Sequence, residues 1–168
     1  MKGQSETIVF VLLFLIGITL FATAYVFSSG IFNQNLDVAK IESAENIMRS
    51  LDSKIQSVIG YGGSQSFDYA LNEEILVFDA NTLEIRFPVS IEVPRYWVNL
   101  TEAQRSYIRE TLETNIFRIQ LVYPEAEDLK VEFFSDKQIA KPSIIKIERN
   151  STKVEGGRPI IRIRLIFK

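Results

Sequence analysis

The chain has 168 residues, with 19 Lys and Arg against 21 Asp and Glu for a formal charge of −2, and it contains neither His nor Cys. The two missing residue types remove imidazole bases, thiol nucleophiles, the common zinc sites and every disulfide. A charge this close to zero makes no electrostatic case for nucleic acid, and a Cys-free chain is compatible with any redox compartment.

After Met1-Lys2 and a short polar patch, the 21 residues from Thr7 to Phe27 carry no charge. At about 1.5 Å per residue such a helix spans roughly 30 Å, the hydrocarbon thickness of a bilayer. A helix apolar on every face for this length predicts a single membrane span over residues 4–27. An ordinary secretory signal needs a shorter core, although Ala22-Thr23-Ala24 and Ser28-Ser29-Gly30 offer small residues near its end. Lys2 and the α-amino group precede the span, and the first basic residue beyond it is Lys40. The positive-inside bias then places the N-terminus in the cytoplasm and the rest of the chain outside the membrane. Phe10, Phe14, Phe21 and Tyr25 fall within about 60° of one another at 100° per residue, with Gly17 near the same line. They form either a packing seam between subunits or an aromatic face suited to lipid.

Lys2-Gly3 stands directly before Gln4-Ser5-Glu6, and the apolar run starts immediately afterwards. This arrangement resembles the class III signal of type IV pilin-like proteins, in its archaeal form. The resemblance implies that a prepilin peptidase cuts between Gly3 and Gln4, so that residues 1–3 are a leader and the apolar helix stays on the mature protein. Within the family an acid near the start of the helix neutralises a neighbouring subunit's amino terminus, a role open to Glu6. The alternative for Glu6 is plain helix chemistry, with Ser5 as cap and an acid against the helix dipole.

A polar patch, Ser28-Ser29-Gly30 and Asn33-Gln34-Asn35, is a place where the helix is free to bend. Helical spacing then resumes at Leu36, Ile41, Ala44, Ile47, Met48, Leu51, Ile55, Val58 and Ile59, with charges on the other faces. Residues 28–59 are therefore an amphipathic stem, and a helix from Gln4 to Ile59 would be about 84 Å long. Gly60, Gly62 and Gly63 end it. The stretch Gly60-Tyr61-Gly62-Gly63-Ser64 follows a helix and leads into strand-like sequence, the wrong context for a phosphate-cradling loop. The wider run Ala44-Glu45-Asn46-Ile47-Met48-Arg49-Ser50-Leu51-Asp52-Ser53-Lys54 also resembles a looser group of archaeal pilin-like membrane proteins. That likeness covers about the first third of the chain and implies no ligand.

Residues 60–168 predict a β-rich, sandwich-like antiparallel head, which makes the fold class α+β. Ile75–Phe78 and Leu83–Phe87 flank the turn Asp79-Ala80-Asn81-Thr82, and Val89–Val93 continues the second strand as far as Pro94. Further strands are Ile116–Tyr123, Leu129–Phe134, Ile144–Glu148 and Ile160–Phe167. Thr101–Thr114 reads as one inserted helix, opened by Thr101 with Gln104 three residues on and carrying Tyr107, Ile108 and Leu112 on one side. Such a helix departs from the all-β heads of the better-known archaeal filaments and favours a minor or accessory subunit.

No enzyme, cofactor, metal or small-molecule substrate is expected. Glu73, Glu74, Asp79, Glu125, Glu127 and Asp128 are the carboxylates available for catalysis. Adjacent strand residues point to opposite faces, however, and Pro124–Asp128 reads as a solvated turn suited at most to weak calcium binding. Arg158, Arg162, Arg164 and Lys168 share one face of the last strand. They are expected to discourage edge pairing rather than to follow a nucleic-acid backbone. Asn99-Leu100-Thr101 and Asn150-Ser151-Thr152 are candidate N-glycosylation sequons. Trp97 beside Tyr96 is a candidate exposed contact, against the alternative of a core anchor. The expected partners are membrane lipid, prepilin peptidase and other pilin-like subunits. The competing reading is a single-span, signal-anchored surface domain that binds a partner or envelope component without polymerising.

Overall fold

The computed structural model describes residues 2–91, 97–102, 105–126 and 128–168; the side chains of residues 2–6, 101 and 102 lie outside that description. One helix, α1, runs from Lys2 to Tyr61. The chain divides into two units, Met1–Val38 and Ala39–Lys168. Among the described residues the first unit is helix alone, and the second holds the rest of α1 and every strand.

The strands are β1 (Ser64–Asp68), β2 (Glu74–Asp79), β3 (Thr82–Pro88), β4 (Val98–Glu102), β5 (Tyr107–Glu113), β6 (Ile116–Val122), β7 (Lys130–Ser135), β8 (Ile139–Ala140), β9 (Ile144–Glu155) and β10 (Arg158–Phe167). They form a six-stranded sheet in the order β4-β5-β6-β3-β2-β8 and a four-stranded sheet in the order β1-β9-β10-β7. Among the described residues every pairing is antiparallel except β10 with β7. The α+β expectation, a long helix followed by a β-rich head, holds.

The inserted helix does not. Residues 98–102 and 107–113 are β4 and β5, paired with each other and, through β5, with β6. The spacing of Ile108 and Leu112 is the reason for the misreading. Four residues are one helical turn, but they are also two full strand repeats, so both side chains reach the core from a strand equally well. Thr114 and Asn115 then adopt φ of 51° and 63°, the left-handed pair that turns a tight hairpin and that a helix cannot contain. β3 also stops at Pro88 rather than continuing through Val89–Val93, and residues 92–96 lie outside the described set.

Alternation along the strands sends Ile75, Leu83, Ile85, Phe87, Phe117, Ile119, Leu121, Val131, Phe133, Ile145, Ile147, Ile161, Ile163 and Leu165 into one buried cluster. α1 contributes Ala44, Ile47, Met48, Leu51, Ile55, Val58 and Ile59 to the same cluster, with Ile41 partly buried beside it. The amphipathic stripe of the stem is thus part of the head's own core. Each such large side chain contributes about 1.5–3 kcal/mol when fully buried, so the helix is a principal source of the head's stability. Tyr123, fully buried immediately after β6, donates its hydroxyl to Asp52 of α1 and meets Phe133 edge-on at 5.4 Å.

The helix ends as its glycines predict. Gly62 and Gly63 take φ of 74° and 78°, and the Gly62 N–H donates to the Val58 carbonyl at 2.9 Å. Arg149 on β9 completes the end. Its Nη1 donates to the orphan Ile59 carbonyl at 3.3 Å, and its backbone N–H donates to Gly63 at 3.1 Å.

Candidate functional site: the apolar helix and the outer sheet face

From Ile8 to Phe32 the large apolar side chains of α1 are exposed on all sides, and its most apolar stretch has none of its residues buried. The hydroxyls of this stretch need no water. Thr19 Oγ1 donates to Leu15 O and Thr23 Oγ1 to Thr19 O, each at 2.8 Å, and Ser29 Oγ donates to Val26 O at 2.9 Å. An apolar surface this large does not stay in water on a monomeric domain, and it is consistent with a single membrane span.

Of the predicted processing residues, Lys2, Gly3, Gln4 and Glu6 have helical backbone, and their side chains lie outside the described set. The seam residues Phe10, Phe14, Phe21 and Tyr25 are all exposed, but so are Leu20 and Val26 on other faces, so exposure does not set the seam apart. A Cβ at Gly17 would meet nothing within 4 Å, so nothing within this chain requires glycine there.

The head carries a polar row on the outer face of its six-stranded sheet. Cross-strand register aligns Glu84, Gln120, Arg109 and Asn99, one from each of β3, β6, β5 and β4. Glu84 is only 1% exposed. Its Oε2 accepts from Gln120 Nε2 at 2.6 Å, and Gln120 Oε1 accepts from Arg109 Nε and Nη2 at 3.0 and 2.8 Å. The Arg109 guanidinium then lies 4.4 Å from the centre of the Trp97 ring and 5.8 Å from that of Tyr107. Trp97 is therefore no core anchor. It is exposed, with one face taken by a cation that a buried carboxylate and amide hold in place; Tyr96 lies outside the described residues. Sequence reading missed this network, whose one signal is a run of outward-facing polar positions in strands.

The carboxylates considered for catalysis mostly pair with cations. Glu73 meets Lys40 at 3.2 Å, Glu125 meets Lys130 at 3.0 Å, Asp128 meets Arg105 at 3.3 Å, and Glu74 is 4.0 Å from Arg86; Glu127 lies outside the described residues. The row of cations on β10 is likewise engaged, Arg162 with Glu132 and Arg164 with Asp136, each at 3.0 Å. β10 lies between β9 and β7, so the expected role of those cations as guards of a sheet edge is overturned.

Glu110 is the acid out of balance. Its Oε2 is buried with no hydrogen-bond partner, and burial, followed by the charge of Glu45, raises its pKa. Glu45 itself is 3.6 Å from Arg49. A carboxyl whose folded pKa lies above its unfolded value favours folding while protonated. That contribution is present below the unfolded pKa and is lost as pH rises through the folded one. Glu110→Gln is therefore expected to stabilise the head at neutral pH and to flatten its loss of stability from acid to neutral. Chemical denaturation of both proteins across that range checks this.

The predicted sequons are both accessible at their first residue, Asn99 on β4 and Asn150 on β9. No protein-family model matches the chain, and no curated protein or solved structure matches it either.

Proposed function

We propose that the chain is a pilin-like, membrane-anchored surface protein, a subunit of an archaeal type IV pilus-like filament, with its N-terminus in the cytoplasm and its head outside the membrane. The observation that carries this reading is the character of α1. Its first part exposes apolar residues on every side, and its later part supplies Ala44 to Ile59 to the core of a β-rich head. The Lys2-Gly3-Gln4 resemblance adds the processing step, and the apolar span adds lipid and like helices as neighbours. The inserted helix that favoured an accessory over a major role is not there, since the described residues beyond α1 form strands and their connections. The reading assigns the protein no catalysis.

The N-terminal peptide decides. Mass spectrometry of membranes and of sheared surface material is expected to find a chain beginning at Gln4 in both. Gln4 confined to membranes would make the protein a processed component that does not polymerise. A chain that keeps Met1 or Lys2 would end the pilin reading and leave a signal-anchored surface domain.

A further inference from the structure

Both sequons lie on β-bulges, but the bulges treat their asparagines differently. In β4, Asn99 is in register with Arg109 and Thr101 with Ile108, so the extra residue is Leu100 and Asn99 stays in the ladder. In β9, Ser151 faces Arg162 and Arg149 faces Ile163, so the extra residue is Asn150 itself. On its other side β9 pairs with β1 only as far as Glu148, opposite Ser64. Asn150 thus has no registered partner on either neighbouring strand. A transferase that must draw an asparagine into its own cleft meets the least resistance at such a residue, because no ladder pairing has to be broken.

The third residue of this sequon is also prepared. Thr152 is exposed, and its Oγ1 accepts from Arg149 Nε at 3.2 Å and from Nη2 at 2.8 Å. A threonine hydroxyl has two acceptor lone pairs and one donor hydrogen, so both bonds from Arg149 leave the O–H free to donate. Arg149 is fixed in turn by the Ile59 carbonyl at the helix end. Beside Asn150 opens a groove of about 450 Å³, lined also by Ala80, Glu132, Phe133, Phe134 and Arg162. It offers an aromatic ring and the Glu132–Arg162 pair, groups suited to the apolar face and the hydroxyls of a sugar.

We infer that Asn150 is a site of N-linked glycosylation, with the first sugar lying over this groove. The inference rests on the reading that the head is outside the membrane. The co-reactant is an oligosaccharide carried on a lipid phosphate or pyrophosphate. A bond forms between the Asn150 side-chain amide nitrogen and the anomeric carbon, and the anomeric carbon–oxygen bond breaks. Its electron pair leaves on the lipid phosphate, and the amide nitrogen gives up one proton.

The test uses the full-length protein in its own cells. Intact cells are treated with a membrane-impermeant amine reagent, and the purified protein is then digested at glutamate and analysed by mass spectrometry. The result expected is a glycan mass on the Arg149–Glu155 peptide together with reagent on Lys137, an exposed lysine of the head. A Thr152→Ser chain is expected to keep the glycan, and a Thr152→Ala chain to lose it. Reagent on Lys137 with an Arg149–Glu155 peptide that carries no glycan, whether or not its own Lys153 is labelled, overturns the inference and leaves the surface location standing. No reagent on Lys137 and no glycan overturns both. A glycan that survives Thr152→Ala overturns the sequon as its cause.

Discussion

Leu51→Ala is expected to lower the stability of the head by about 3 kcal/mol, within the 2–5 kcal/mol typical of a fully buried leucine cut back to alanine. Leu51 has no exposed surface and sits in the core cluster with residues of both sheets. The loss has two parts, the transfer free energy of the missing atoms and the cavity left among β-strands that cannot close over it. For a unit of this size about 3 kcal/mol corresponds to a fall in Tm of roughly 10 °C. The measurement is thermal unfolding of the full chain in lipid nanodiscs, followed by a tertiary-structure signal, because helix content alone would also report the apolar first part of α1. Tyr61→Ala is the companion, since Tyr61 is 93% exposed at the helix end and is expected to change stability by less than about 0.5 kcal/mol. Equal melts for the two variants would mean that the helix is not part of the head's core.

On the membrane-anchored reading, arginine in the middle of the apolar helix is expected to release the protein from membranes, but only in pairs. Between Thr7 and Phe27 there are 14 Leu, Ile, Val and Phe residues. At roughly −0.3 to −0.6 kcal/mol each they favour insertion by about 4–8 kcal/mol, whereas one central Arg costs about 2.5–3.5 kcal/mol. Leu15→Arg alone therefore leaves insertion favourable. Leu15→Arg with Ile18→Arg consumes nearly all of it. Carbonate extraction of membranes is expected to keep the single variant in the pellet and to lose the double variant to the supernatant or to proteolysis. A double variant that stays in the pellet would show that the helix is held by something other than lipid.

Length and periodicity carried the strongest signals. An uncharged run of 21 residues has few physical meanings, and a stripe repeating at three and four residues from Ile41 to Ile59 has fewer once glycines close it. The alternating Ile161, Ile163 and Leu165 likewise announce a strand with one face in a core. Ambiguity entered where two periods agree, as at Ile108 and Leu112, and where a turn is opened by a residue of weak turn character, as at Thr114 before Asn115. The Gly156-Gly157 turn, with φ of 61° and 82°, was legible in principle, and it makes β9 run seven residues beyond the predicted end at Glu148. Beyond the β2–β3 hairpin, which the turn at Asp79–Thr82 announced, pairing order could not be read. That Glu84, Gln120 and Arg109 share a row follows from strand register, and register is decided by contacts between segments far apart in sequence. Trp97 illustrates the cost: its type suggested a contact, and only its neighbours reveal that Arg109 already occupies one face of the ring.

The position of β10 constrains when the head can exist. It is the latest of the described strands to leave the ribosome, yet it lies inside its sheet, with β9 on one side and β7 parallel on the other. Until it arrives, β7 has no partner in that sheet, and Ile161, Ile163 and Leu165 are missing from the core. A chain emerging from its N-terminus must therefore wait, with the β1–β9 pair and β7 lacking the strand that joins them, until residues 158–167 arrive. Quality control by a protease would act in that interval. Its duration is set by the emergence of residues 158–167 rather than by the rate at which the six-stranded sheet closes.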